Sequence, residues 1–164
     1  MIKLLVLDVD GCLTDGKITY DSNGIESKSF DVKDGLAIAT WIRMGNYVAI
    51  ITGRESSIVK KRADELKIPY LFQGIKDKKS KLEELLQELS LDYSEVAAIG
   101  DDLNDYRMLK SVGLSFTPKN GSEYIKKIVD IVLNNTGGNS AVREMIEYII
   151  KKDEQEKRFL KEWV

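Results

Sequence analysis

The chain has 164 residues, with 25 Lys and Arg against 27 Asp and Glu and a net charge of −2. That length holds one compact domain with a real core, and the balanced charge argues against nucleic acid or an anionic membrane surface as partner and for a small molecule. With no histidine and one cysteine, an internal disulfide, Ser/His/Asp and Cys/His nucleophiles, phosphohistidine and histidine-ligated zinc are excluded.

The run Ile2, Leu4, Leu5, Val6, Leu7 is short and aliphatic, as a parallel strand buried on both faces should be, and it ends at Asp8-Val9-Asp10-Gly11. Lys17 to Tyr20 and Ile25 to Phe30 alternate around Asp21-Ser22-Asn23-Gly24, which predicts a small β-hairpin flap over about 17–30. Asp34 is placed as the cap of a helix through about Met44, stopped by Gly45-Asn46. Tyr47 to Ile51 is the second buried strand, with Thr52-Gly53-Arg54 at its carboxyl end. A helix from about Ser56 to Leu66, a strand over Tyr70 to Gln73 and a periodic helix over Lys79 to Leu89 follow. Val96 to Ile99 is the next strand and ends at Gly100-Asp101-Asp102. After it come a short helix (about Asp105 to Lys110), a strand (Leu114 to Phe116), a helix (Ser122 to Val129) and a strand (Ile131 to Leu133).

Gly137-Gly138 introduces the last helix, about Ala141 to Lys152, and 153–164 is a charged tail whose Phe159, Leu160, Trp163 and Val164 need a surface to bury on. This rhythm predicts a Rossmann-like three-layer α/β/α domain over 1–152 with a central parallel sheet. Residues 11–47 and 54–70 have room only for the hairpin and single helices, so no separate cap domain is expected. No apolar run approaches a membrane span and Met1 leads directly into a strand with no leader, so the cytoplasm is the expected compartment.

In an open α/β sheet, ligands bind beyond the carboxyl ends of the strands, so the two acidic patches can line one crevice. Asp8 and Asp10, two residues apart, can face one ligand while Val9 packs behind. One carboxylate can attack a phosphoryl group and the other move protons. Asp101, Asp102 and Asp105 bring the total to five carboxylates near one sheet edge. Their repulsion calls for a cation, and Mg²⁺ takes carboxylate, water and phosphate oxygens. Asp101 is the stronger ligand, and Asp105 serves equally well as a helix cap. Thr52-Gly53-Arg54 offers a hydroxyl and an amide to a phosphate, and Lys78 can neutralise the transferring oxygens. Taken singly, Asp10 suits a turn and Lys78 a solvated surface. A thiol-phosphatase loop would need Arg six residues after Cys12, and residue 18 is Ile; Cys12 is a packing residue.

The run Leu7-Asp8-Val9-Asp10-Gly11-Cys12-Leu13-Thr14-Asp15-Gly16 resembles the first motif of the haloacid-dehalogenase-like phosphatases. It is followed in that family's order by Ile51-Thr52-Gly53-Arg54, a lysine, and Gly100-Asp101-Asp102-Leu103-Asn104-Asp105. The resemblance implies Asp8 as nucleophile and metal ligand, and Asp10 as general acid/base that also ligates Mg²⁺ through its backbone oxygen and touches substrate. It implies Thr52 and Lys78 as phosphate ligands, Asp101 as the remaining protein ligand to Mg²⁺, and Asp102 and Asp105 behind them. Phe30-Asp31-Val32-Lys33-Asp34-Gly35, Gly74 leading to Lys78, and Gly137-Gly138-Asn139-Ser140-Ala141-Val142-Arg143-Glu144 are similar to the capless branch that acts on 3-deoxy-D-manno-octulosonate 8-phosphate.

That likeness implies a role in lipopolysaccharide precursor synthesis and a sugar-acid pocket lined by Asp31, Val32, Lys33, Asp34 and Gly35, with Arg54, Arg62 and Lys78 as further contacts. It also implies a homotetramer in which a neighbouring subunit covers the site, with the flap and the apolar tail end supplying the contact. Ala39 and Asn139-Ser140 depart from the branch's pattern, which keeps a nine-carbon acid sugar 9-phosphate open as substrate. A noncatalytic assembly module is the alternative from another class, and the filled catalytic positions argue against it.

Overall fold

The computed structural model describes residues 1–164. In β1 (Leu4–Leu7) every residue is buried, Leu5 and Leu7 in one apolar layer and Leu4 and Val6 in the other, because successive side chains of a strand point to opposite faces. The same two-sided burial holds for β6 (Val96–Ile99), and β4 (Tyr47–Ile51) is exposed only at Tyr47. With β5 (Tyr70–Phe72), β7 (Leu114–Thr117) and β8 (Ile131–Val132) these strands form one sheet of order β5-β4-β1-β6-β7-β8. All pairings are parallel, Leu7 lying opposite Ile50 on one side and Ile99 on the other. Strand succession reverses at β1, the switch point beyond which open α/β sheets bind their ligands.

Helices α1 (Val32–Arg43), α2 (Ser57–Glu65) and α6 (Ala141–Lys152) cover one face; α3 (Lys78–Leu89), α4 (Tyr106–Leu109) and α5 (Glu123–Lys126) cover the other. The fold is therefore the expected α/β/α sandwich. A hairpin of β2 (Thr19–Tyr20) and β3 (Glu26–Ser27) stands outside the main sheet. Its paired part is shorter than the flap expected over 17–30, and Asp21 closes the turn by accepting from the Asn23 and Ile25 amides, each at 2.8 Å.

One expectation is corrected. The cap of α1 is Asp31, not Asp34: Asp31 Oδ1 accepts from the Lys33 and Asp34 amides at 2.6 and 3.1 Å, and Asp34 lies inside the first turn with its carboxyl buried. The charged tail folds into α7 (Glu156–Lys161), and Phe159 finds the surface it was expected to need on its own chain. Phe159 joins the larger core layer, Arg158 donates to the Met44 carbonyl, and Arg43 lies 4.5 Å from the Trp163 ring centroid. Leu160 and Val164 stay exposed. No helix is long and apolar enough to cross a membrane.

Candidate active site

Just past β1, the chain bends sharply over Val9–Leu13. Thr14 holds that bend: its Oγ1 accepts from the Gly11 amide at 3.3 Å and the Gly16 amide at 3.2 Å and donates to the Val9 carbonyl at 3.3 Å. Gly11 adopts φ +95°, and a Cβ there would fall 2.0 Å from Asp101 Oδ2. Only glycine permits both the bend and the approach of the second acidic patch to the first. Gly137 is equally constrained, since its Cβ would meet the Gly11 carbonyl oxygen at 1.8 Å. The loop before α6 thus buttresses the bend that carries Asp8 and Asp10.

Lys78 is the first residue of α3, one position earlier than the expected helix start, and its side chain is directed inward. Nζ donates to Asp8 Oδ1 at 2.7 Å and to Asp105 Oδ1 at 2.6 Å, and all three residues are buried. The second Asp105 oxygen accepts from the Asp101 and Asp102 amides at 3.1 and 3.4 Å. One carboxylate therefore ties the lysine to the loop after β6. Asp102 accepts from the Leu103 amide at 2.8 Å and caps the turn that follows.

These strand ends enclose a pocket of about 260 Å³ lined by Asp8, Asp10, Thr52, Arg54, Asp101 and Asn104, among others, with no hydrophobic residue. Burial, reinforced by the charge of Asp105, pushes the Asp8 carboxyl up to about 8 against the opposing pull of Lys78. Burial and the charges of Asp105 and Asp102 push Asp101 up to about 6. For Lys78 burial acts to lower the ammonium, but Asp8 and Asp105 outweigh it and leave it raised and charged. Carboxylates held this close to neutrality need more positive charge to act as anions. Oxygens of Asp8 and Asp101 and the Cys12 sulfur lie within 4.8 Å of one another. Two carboxylates facing an open polar pocket suit Mg²⁺, which keeps positions for water and phosphate. The thiol is fully buried and pushed well above its ordinary range, so it packs rather than ligates a hard cation.

Residues 70–146 match the family described as haloacid dehalogenase-like hydrolase. The 3-deoxy-D-manno-octulosonate 8-phosphate phosphatase of Haemophilus influenzae is 38% identical over 150 residues, spanning 92% of this chain and 83% of that one. The chain belongs to the haloacid dehalogenase-like hydrolases. Among solved members of this family, the 3-deoxy-D-manno-octulosonate 8-phosphate phosphatase of Moraxella catarrhalis, in complex with magnesium, phosphate and KDO, superposes with TM-score 0.95 at 41% identity, covering 99% of this chain and 94% of that one. The cobalt-bound enzyme of Haemophilus influenzae gives 0.88 at 38% identity, covering 92% and 88%.

For this hydrolase the structure gathers Asp8, Asp10, Thr52, Arg54 and Asp101 around one pocket and sets Lys78 directly behind Asp8. It does not bring Asp31, Val32, Lys33, Asp34, Gly35 or Arg62 there: none lines that pocket. Asp31 accepts from Ser140 Oγ at 3.2 Å, and Arg62 donates to the Asp31 carbonyl at 3.3 Å, passing where a Gly35 side chain would stand. Asp34 Oδ1 accepts from the Arg143 amide at 2.7 Å while Oδ2 has no partner, and burial pushes this carboxyl up to about 7. Lys33 lines a second, wider pocket of about 630 Å³ with Asn135, Asn139, Ser140 and Arg143. The sequence reading also passed over Lys28, which pairs with Asp10 Oδ1 at 2.5 Å. The signal for it was present: Glu26 and Lys28 are two residues apart in the alternating run Ile25 to Phe30, a spacing that sets both on one face of an extended segment.

Proposed function

We propose that the protein is a Mg²⁺-dependent phosphomonoesterase that hydrolyses 3-deoxy-D-manno-octulosonate 8-phosphate through a phosphoryl group carried on Asp8, in lipopolysaccharide precursor synthesis. The observation that carries this reading is a buried carboxylate, Asp8, at a wholly polar pocket, paired to Lys78 at 2.7 Å with Asp101 alongside. The likeness to a phosphatase solved with magnesium, phosphate and KDO supports the choice of sugar.

Asp8 attacks phosphorus, and Asp10 donates a proton to the departing sugar oxygen, a role that typically contributes about 10²- to 10⁴-fold. Asp10 then takes a proton from the water that releases phosphate from Asp8. Thr52 and Lys78 hold the phosphoryl oxygens, and Lys78 offsets the charge gathered on them. Mg²⁺ held by Asp8, Asp101 and the Asp10 backbone oxygen would neutralise the approaching dianion and keep Asp8 ionised.

Asp31 to Gly35 and Arg62 lie away from their own chain's pocket, and Val32 is 81% exposed. The exposure of Val32 and Lys33 supports a homotetramer in which these two complete the sugar site of a neighbouring copy, while Asp34 and Gly35 are buried within their own chain; the cytoplasm is the compartment we propose. Light scattering tests the assembly, and a fully active monomer refutes it. Phosphate release from eight-carbon and nine-carbon acid sugar phosphates and from simple phosphomonoesters, with and without Mg²⁺, tests the function. Preferential, Mg²⁺-dependent turnover of the eight-carbon substrate is expected. Equal rates across the panel refute the sugar assignment, faster turnover of the nine-carbon compound moves it, and no release from any of them leaves a noncatalytic assembly module.

A further inference from the structure

Lys28 has no ordinary surface role: its side chain is 0% exposed, and Nζ lies 2.5 Å from Asp10 Oδ1 and 3.1 Å from Glu26 Oε1. The other Glu26 oxygen stands 3.6 Å from Arg54 Nη2, which donates to the Tyr20 hydroxyl at 3.2 Å. Five side chains thus run in a row, Asp10, Lys28, Glu26, Arg54 and Tyr20. Asp10 and Arg54 line the pocket of Asp8; Lys28, Glu26 and Tyr20 belong to the hairpin segment. That hairpin pairs with no strand of the main sheet and leaves Ile18, Tyr20 and Ile25 exposed. A lone two-stranded hairpin is marginally stable in water, so its placement depends on such ties. A lysine immobilised in this way loses considerable rotamer freedom, which the two ion pairs must offset.

We propose that Lys28 is a positioning residue for phosphoryl transfer: by pairing with Asp10 Oδ1 it ties the hairpin to the edge of the pocket and fixes the Asp10 carboxyl, whose Oδ2 takes no protein donor. The proposal rests on Asp10 being the proton carrier of the proposed reaction.

The test compares Lys28→Met, Lys28→Arg, Asp10→Asn and the Lys28→Met/Asp10→Asn double variant. Two substrates are used: the sugar phosphate, whose leaving oxygen needs a proton, and p-nitrophenyl phosphate, whose acidic leaving group needs little. Lys28→Met is expected to lower kcat on the sugar phosphate by about 10- to 100-fold, within the range of acid catalysis, with a smaller change in KM. A smaller loss on the aryl phosphate, substantial rescue by Lys28→Arg, and a double variant no slower than Asp10→Asn are also expected. Hydrogen exchange supplies a readout without turnover: amides 17–28 should lose protection in Lys28→Met while β1 and β6 keep theirs. Wild-type turnover, unchanged hairpin protection, or losses that multiply in the double variant overturn the proposal. Equal loss on both substrates in Asp10→Asn alone instead overturns the proton role of Asp10, and the proposal with it.

Discussion

Replacing Lys78 with Met removes one cation and leaves two carboxylates facing each other away from water. Lys78 is 1% exposed, and its Nζ stands 2.7 Å from Asp8 and 2.6 Å from Asp105. Deleting one partner of a buried ion pair costs about 3–5 kcal/mol, a large share of the roughly 5–15 kcal/mol that keeps a domain folded. The loss also has a definite pH dependence. Without Lys78 the Asp8 carboxyl, which the lysine pulls down, rises further, so the native state binds a proton that the unfolded chain does not, and stability returns as pH falls. Asp8 already stands at about 8 with the lysine in place. Urea unfolding of metal-free protein should therefore show a loss smaller by about 1–3 kcal/mol at about pH 5.5 than at about pH 8.5. Adding Asp105→Asn to Lys78→Met should recover part of it. A loss below about 1 kcal/mol, or the same loss at both pH values, would refute the description of a buried lysine holding two carboxyls together.

Three further outcomes follow from the geometry. Gly137→Ala places a Cβ 1.8 Å from the Gly11 carbonyl oxygen, so it should cost about 1–3 kcal/mol and lower kcat by shifting the bend beneath Asp10; wild-type kcat with an unchanged melting temperature would contradict the buttress. Phe159, 7% exposed and part of the main core layer, should cost about 3–5 kcal/mol when replaced by Ala, and an unchanged melting temperature would place the tail outside the core. Asp8, Asp34 and Asp101 are raised to about 8, 7 and 6. The stability they contribute is fully present below the unfolded carboxyl value and is lost as pH rises through those three values. Mg²⁺ should relieve the Asp8 and Asp101 parts, so its stabilising shift in melting temperature should grow from about pH 5 to about pH 8; a shift that is flat with pH would contradict the assigned ligands.

The strand ends were legible because parallel strands buried on both faces leave unbroken aliphatic runs, and acids placed just beyond such runs have only one crevice to share. The start of α1 was not, because Asp31 and Asp34 are three residues apart and both suit a cap; burial under α6 selects Asp34 for the interior. Phe159 could not be placed from a charged tail, since its partners come from distant parts of the chain. The Lys78 to Asp105 link spans 27 residues and depends on α3 and the loop after β6 converging. For Asp31 to Gly35 and Arg62, motif order put them with the sugar, but a single chain keeps them away from the pocket of Asp8.

In the proposed reaction Asp8 carries the phosphoryl group. Acid-quenching the protein during turnover of 3-deoxy-D-manno-octulosonate 8-phosphate with Mg²⁺, followed by mass spectrometry of the peptide containing Asp8, tests it most directly. The expected result is phosphate bound to Asp8 in the wild type, enriched when Asp10 is replaced by Asn, and absent with a chelator or in Asp8→Asn, which should release no phosphate. Sustained phosphate release by Asp8→Asn, or turnover with the label on another residue, would contradict the account.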